Sequence, residues 1–339
     1  MLLGLSPVRI SFAGGGTDMP EYYENYGGIV ISTAINHFSY VIVNKRKDDK
    51  LQIFSPDFET HSAPEKINKL YAKKGIELPV ATLKFLKYKK GLNLILSSDV
   101  PPQSGLGSSS SLAVNLVNVI SYLKGSKVSK SDIAEISHNI ERNYLKWPMG
   151  KQDEYIAAFG GFKKIEFSKD KVTVSPIKIS QKILKELEDN LMLFFVGSRT
   201  NSLILTNQIN NIQNKEPTTI NSLDNVKKLA FKLYDNIKKS NLTTFGELLN
   251  ENWQSKKKFS KNVSNSTIDK LYQSAIDSGA IGGKLTGAGG GGHLLLYCEK
   301  SKQAKVMEKM KQHKIRHVKF SFHNDGAKIL NLYDYTGAK

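Results

Sequence analysis

The stretch Pro102-Gln103-Ser104-Gly105-Leu106-Gly107-Ser108-Ser109-Ser110-Ser111 decides how the rest of this chain reads. It runs into a segment in which Leu112, Leu116, Ile120 and Leu123 share one face, with Ala113 and Val117 beside them, and Gly125 stops the run. That spacing predicts a helix that begins in the serines and ends at Lys124. Glycines let the backbone curl until successive N–H groups converge, and a helix start adds unpaired donors and the positive end of its dipole. Together they form an anion cradle suited to a polyphosphate. Serine hydroxyls at the first turn can also reach a Mg²⁺ bridging the phosphates. A capped, serine-rich helix start is the plainer alternative, but two glycines and four serines between Gly105 and Ser111 exceed what capping needs.

Two better-known phosphate loops are excluded. The spacing Gly-x-x-x-x-Gly-Lys-Ser/Thr occurs nowhere, and Gly283-Lys284 is followed by Leu285. A Gly-x-Gly-x-x-Gly match exists at Gly287-Ala288-Gly289-Gly290-Gly291-Gly292, but a helix pattern precedes it and the strand pattern from His293 follows. A dinucleotide fold needs the reverse order. A third unusual segment opens the chain, Pro7-Val8-Arg9-Ile10-Ser11-Phe12-Ala13-Gly14-Gly15-Gly16-Thr17-Asp18. It offers glycines for close approach by a ligand and a carboxylate able to take hydrogen bonds from sugar hydroxyls; a tight turn with a helix cap at Asp18 is the alternative.

Around these segments, strand and helix patterns alternate. Strands are predicted at Val8–Phe12, Gly28–Ile35, Phe38–Val43, Leu51–Phe54 and Leu92–Leu96, with a hairpin over Phe162–Phe167 and Lys171–Ile177. A helix from Ser129 or Ser131 to Lys146 carries a buried stripe of Ile133, Ile136, Ile140 and Tyr144, with Glu141 at its edge. Beyond residue 180 the patterns predict a buried strand at Leu191–Val196 and helices at Ser222–Lys239, Leu242–Lys258 and Thr267–Ser278. A strand at His293–Tyr297, a helix at Lys302–Gln312 and a closing strand at Val318–Phe322 follow. The pattern is that of an α+β or α/β protein of two lobes, 1–180 and 181–339, with a ligand cleft expected between them.

The 339 residues carry a formal charge of +18, which invites a nucleic-acid reading. Only five of the 49 basic residues are Arg, whereas phosphate and base readers favour the bidentate Arg fork. The lysines are spread along the chain, so no nucleic-acid partner is expected, although a positive field concentrates anionic small molecules. No apolar run approaches the length of a membrane span, the first residues do not have the form of a signal peptide, and a single cysteine, Cys298, excludes a disulfide framework. A cytoplasmic protein without membrane attachment is the expectation.

Taken together, the three glycine-rich segments resemble the GHMP kinase family of galactokinase, homoserine kinase, mevalonate kinase and phosphomevalonate kinase. Pro102 to Ser109 is similar to that family's phosphate loop, Lys284 to Gly292 to its C-terminal glycine motif, and Arg9 to Asp18 to the sugar-kinase form of its N-terminal motif. The resemblance implies an α+β two-lobed fold, an N-terminal lobe like ribosomal protein S5 domain 2 and a ferredoxin-like C-terminal lobe. Gly27-Gly28 and Gly150-Lys151-Gln152-Asp153-Glu154-Tyr155 carry the likeness toward the subgroup of bacterial D-glycero-D-manno-heptose 7-phosphate kinases, with fucokinase-type sugar kinases next. Galactokinases carry two side chains where Gly15 and Gly16 stand here, so a wider sugar pocket is expected.

What the resemblance implies for single residues follows. Asp153 is the catalytic base and Arg9 the cation beside it. Gly105, Leu106, Gly107, Ser108, Ser109 and Ser110 hold the phosphates of ATP, and Ser109 and Glu141 ligate Mg²⁺. Gly15, Gly16, Thr17 and Asp18, with Gly287, Gly289 and Gly290, surround the sugar. A phosphate at the far end of the substrate needs its own cation, for which Lys151, Arg199 and Lys284 are the candidates. Implied is an ATP- and Mg²⁺-dependent kinase of the anomeric hydroxyl of a heptose 7-phosphate, with small-molecule partners and room for a homodimer. An L-fucose or other hexose 1-kinase is the same-fold alternative, and a non-catalytic, basic S5-like RNA-binding module the alternative of another class.

Overall fold

The structure is a computed structural model that describes residues 1–199 and 203–332. Its frame is a long antiparallel pair, β1 (Leu2–Ala13) and β2 (Gly28–Lys45). The sequence patches Gly28–Ile35 and Phe38–Val43 are one strand. Between them the register slips, Pro7 facing Phe38 and Val8 facing Ile35, so Asn36 and His37 form a bulge rather than a break. The turn joining β1 to β2 holds Gly14–Asp18 and a short helix, α1 (Pro20–Tyr26).

The chain continues through β3 (Leu51–Ser55), β4 (Thr60–His61), α2 (Glu77–Phe85) and β5 (Leu92–Ser98) to α3 (Ser108–Leu123). Helix α3 is buried on nearly every side, wrapped by β1, β2, α4 (Lys130–His138) and α5 (Gln152–Phe159). After α5 come β6 (Phe162–Phe167) and β7 (Val172–Pro176). In the first sheet the order is β12 (Lys328–Asn331)-β1-β2-β5-β3-β4, and β6, carrying β7, pairs with the first half of β2.

Beyond α6 (Gln181–Asp189) the chain builds the second lobe from β8 (Leu191–Phe195), α7 (Leu203–Gln213), α8 (Pro217–Lys238), α9 (Leu242–Lys256) and α10 (Ser266–Asp277). The edge strand β9 (Gly282–Leu285), β10 (His293–Tyr297), α11 (Gln303–Gln312) and β11 (Arg316–Val318) complete it, in an antiparallel sheet of order β11-β8-β10-β9. The predicted closing strand Val318–Phe322 is therefore displaced: pairing with β8 ends at Val318, and Phe322 bridges to Ile35 of β2. The chain then adds β12 (Lys328–Asn331) to the edge of β1, so the first sheet also takes in the far end of the sequence.

The lobes share an apolar core rather than touching through a polar seam. Phe12 of β1 meets Phe162 of β6, Phe245 of α9 and Phe322 edge-on, with centroids 5.3–6.2 Å apart. Ile10, Leu106, Leu229, Leu249 and Leu295 belong to the same cluster. Close packing of this kind holds the cleft above it in one shape. Among the described residues no helix is long and apolar enough to cross a membrane.

Candidate active site

A cleft of about 560 Å³ opens between the lobes, within the range of small-molecule sites. The 102–107 loop forms one wall. Gly107 takes the left-handed conformation immediately before α3, and no side chain caps that helix, leaving its first N–H groups to face the cleft. Leu106 does not line the cleft; its side chain is buried in the shared core, and its carbonyl accepts the Arg9 N–H at 3.0 Å. It is the peg that fixes the loop. His293 braces the other end, its Nδ1 2.8 Å from the Ser104 carbonyl oxygen.

The C-terminal glycine segment packs directly onto this loop. A Cβ on Gly105 would lie 2.7 Å from the Thr286 carbonyl oxygen, and one on Gly287 would lie 2.6 Å from Gly105 Cα. Both glycines have positive φ. The two loops thus interlock through bare backbone, which the sequence motifs alone do not reveal.

Arg9 and Asp153 form a bidentate ion pair, Nε to Oδ1 and Nη2 to Oδ2 both at 2.7 Å, while Arg9 Nη1 donates to the Gly105 carbonyl at 2.7 Å. One guanidinium therefore ties the carboxylate to the 102–107 loop. Asp153 stands in the first turn of α5 and not in a loop, with its side chain turned into the cleft. A Cβ on Gly107 would come within 2.9 Å of Asp153 Oδ2, so any side chain there would displace the carboxylate. Behind it, Glu154 and His138 are buried with Oε1 and Nδ1 2.7 Å apart. Burial pushes His138 down to about 3 and, together with the Asp153 charge, pushes the Glu154 carboxyl well up.

Asp18 is buried under the glycine turn. Its Oδ1 accepts the Gly16 N–H at 2.8 Å and the Gln152 side-chain amide at 3.1 Å, and its Oδ2 accepts the Gln152 N–H at 3.1 Å. Burial, with Asp153 nearby, raises its carboxyl above the ordinary range. Gly15 and Gly16 line the cleft, and Gly16 lies against Phe259. Thr17 does not reach the cleft; its hydroxyl is spent on the Gly14 and Ile29 backbone. Its role is to fix the turn that presents Asp18.

Glu141 departs from its expected place. The helix predicted through Lys146 is α-helical only to His138, and Asn139–Tyr144 is a π-helical turn, with the Leu145 N–H reaching back five residues to the Ile140 carbonyl. The wider turn swings Glu141 fully inside and throws Tyr144, expected on the buried stripe, out to solvent. Ser109 and Ser110 hydroxyls donate to Glu141 Oε1 at 3.0 and 3.3 Å, and Oε2 is buried with no partner among the described residues. Burial first, and the charge of Glu154 second, push this carboxyl well up.

Of the three cations proposed for a distal phosphate, two reach the cleft. Arg199 and Lys284 line it, the latter buried with its ammonium 3.1 Å from the Phe12 carbonyl oxygen. Lys151 does not reach it: both oxygens of Glu135 hold its ammonium at 2.9 Å, against the Tyr23 ring. Gly287 and Gly289 line the cleft, whereas Gly290 faces Ile204. Lys256, which the sequence reading passed over, is buried at the end of α9 and lines the cleft. The opposite end, around Ser55, Phe58, Gly75, Leu78 and Pro79, was likewise unassigned.

Residues 71–161 match the GHMP kinases N terminal domain and residues 233–316 match the GHMP kinases C terminal. The D-glycero-alpha-D-manno-heptose 7-phosphate kinase of Campylobacter jejuni is 31% identical, over 95% of this chain and 97% of that protein. A solved structure described as a D-glycero-D-manno-heptose 1-phosphate kinase from Bacteroides thetaiotaomicron superposes with a TM-score of 0.81 at 25% identity, covering 98% of this chain and 99% of that one. A putative sugar kinase of Campylobacter jejuni superposes with a TM-score of 0.79 at 29% identity, over 97% and 98%.

Proposed function

Because this chain belongs to the GHMP kinase family, and is an ATP-dependent phosphotransferase that acts as a sugar kinase, we propose that it transfers the γ-phosphoryl of ATP to the anomeric C1 hydroxyl of D-glycero-D-manno-heptose 7-phosphate. The product is the 1,7-bisphosphate, a precursor of nucleotide-activated heptose. The observation that carries this reading is the Arg9–Asp153 pair, bound to the phosphate loop at Gly105 and seated against Gly107. The choice of sugar rests on the likeness to the Campylobacter heptose 7-phosphate kinase; the wider pocket expected from Gly16 is not open at that position, where Phe259 and Leu223 fill the side-chain space.

In this reading the uncapped start of α3 and the Gly105–Ser110 backbone hold the β- and γ-phosphates, leaving the end near Phe58, Leu78 and Pro79 for the base. Asp18 and the glycine turn hold the sugar ring. Asp153 takes the proton from the C1 hydroxyl as its oxygen forms the bond to the γ-phosphorus and the bond to the β-phosphate oxygen breaks, releasing ADP. Arg9 keeps the carboxylate aimed and faces the charge that spreads over the transferring group.

The residues present fit a Mg²⁺ ion. A hard cation that keeps most of its waters needs only one or two protein oxygens, and the buried Glu141 carboxylate with the Ser109 hydroxyl supplies them. When bound, the ion would offset phosphate charge. Ser109→Ala and Glu141→Gln are each expected to raise the Mg²⁺ concentration that gives half-maximal rate at fixed ATP. An unchanged titration in both variants would put the metal elsewhere.

The substrate is tested by coupled ADP release across heptose 7-phosphate, free heptose, L-fucose and galactose. The expected order puts heptose 7-phosphate first in kcat/KM. Better turnover of L-fucose would make this a fucokinase-like enzyme.

A further inference from the structure

The cleft wall supplied by the second lobe carries three cations with no carboxylate partner among the described residues: Lys256, Arg199 and the deeper Lys284, whose ammonium is held by the Phe12 carbonyl. Lys256 is 5% exposed and its ammonium donates to the Gly287 and Leu285 carbonyls; no carboxylate pairs with it among the described residues. Arg199 lies on the same wall, with Nε buried and without a partner among the described residues. A desolvated cation without a partner is costly, and the carboxylates nearest Lys256 are already engaged: Asp153 by Arg9, and Asp18 by Gly16 and Gln152. An arriving anion would supply what Lys256 and Arg199 lack.

We propose that Lys256 and Arg199 are the seat of the substrate's distal phosphate, and hence the residues that make the enzyme prefer a sugar phosphate to a free sugar. The inference rests on the heptose 7-phosphate reading above and adds the residues that enforce it. The nucleotide's own phosphates already have the α3 start and the serine loop, so a second anionic group is the ligand for which this wall is built. Burial pushes the Lys256 ammonium down to about 7, with Arg9 adding to the effect, which agrees with a cation that waits for its counter-ion. Burial lowers Arg199 as well. Two of the earlier candidates fit less well: Lys151 is neutralised by Glu135, and Lys284 is tied beneath β1 to Phe12.

The test compares kcat/KM for D-glycero-D-manno-heptose 7-phosphate with that for the unphosphorylated heptose, in the wild type, Lys256→Met and Arg199→Gln. Hydrogen bonds to a charged group are worth roughly 10- to 100-fold each. The wild-type ratio is expected at about 10²–10⁴, and each variant should lower it by about 10- to 100-fold while moving KM for ATP much less. Lys256→Met removes a buried unpaired charge at nearly constant volume, so its thermal midpoint should hold or rise, and Arg199→Gln gives an independent second arm. A wild-type preference that survives both substitutions would overturn this inference and leave the substrate reading standing. A loss shared equally with KM for ATP would overturn it too, by giving these cations to the nucleotide. A wild-type ratio near one would overturn both readings.

Discussion

Asp153→Asn is expected to lower kcat by about 10²–10⁴-fold, the usual contribution of a positioned general base, with KM for ATP little changed. The amide keeps the shape of the carboxylate and can still accept one hydrogen bond from Arg9, but it cannot take the hydroxyl proton. The substitution also leaves the Arg9 guanidinium, 4% exposed, beside a neutral group. Breaking one side of a buried pair can cost about 3–5 kcal/mol, so turnover is measured where circular dichroism shows the variant folded. Retention of more than about a third of wild-type kcat would remove Asp153 from the base role, since so small a loss lies far below the range for a lost general base.

Arg9→Met should be nearly as damaging for a different reason. The guanidinium makes three contacts at 2.7 Å, two to Asp153 and one to the Gly105 carbonyl. Without them the carboxylate loses its aim, the phosphate loop loses a tie, and the transferring phosphoryl loses a neighbouring positive charge. Removing one preorganised donor of this kind costs on the order of 10²–10³ in kcat. Because Arg9 and Asp153 act as a unit, the double variant Arg9→Met/Asp153→Asn should be little worse than the weaker single variant. Losses that multiply would mean that the two residues act independently.

The parts of the site that were legible in the sequence are those made by backbone. The 102–111 loop, the Gly14–Asp18 turn and the glycine run before His293 announce themselves because only glycine meets their φ values and close approaches. The helices that bear core stripes were also legible. The π turn at Asn139–Tyr144 was not, because it substitutes one helical hydrogen-bond register for another without a special residue to mark it. The consequence was to mistake the depth of Glu141 and the side of Tyr144. β12 is four residues long and is held by an edge that lies more than three hundred residues away in sequence, so no local pattern predicts it.

Lys256 shows a different limit. In the run Lys256-Lys257-Lys258 all three residues look like a solvated helix end, yet only the first continues the face of Phe245, Leu249 and Trp253. Counting back along α9 in steps of three and four would have singled it out. Lys151 misled in the opposite direction, since adjacency to a glycine in sequence does not show that Glu135 of α4, 16 residues earlier, has already taken its charge.

The central claim is that phosphate from ATP arrives on C1 of a heptose 7-phosphate. It is tested most directly by incubating the enzyme with ATP, Mg²⁺ and D-glycero-D-manno-heptose 7-phosphate and locating the new phosphorus by NMR. The expected result is one equivalent of ADP per sugar and a phosphorus resonance coupled to the anomeric proton, beside the retained C7 phosphate. A new phosphate on any other carbon, or no ADP release with this sugar while L-fucose is turned over, would contradict it.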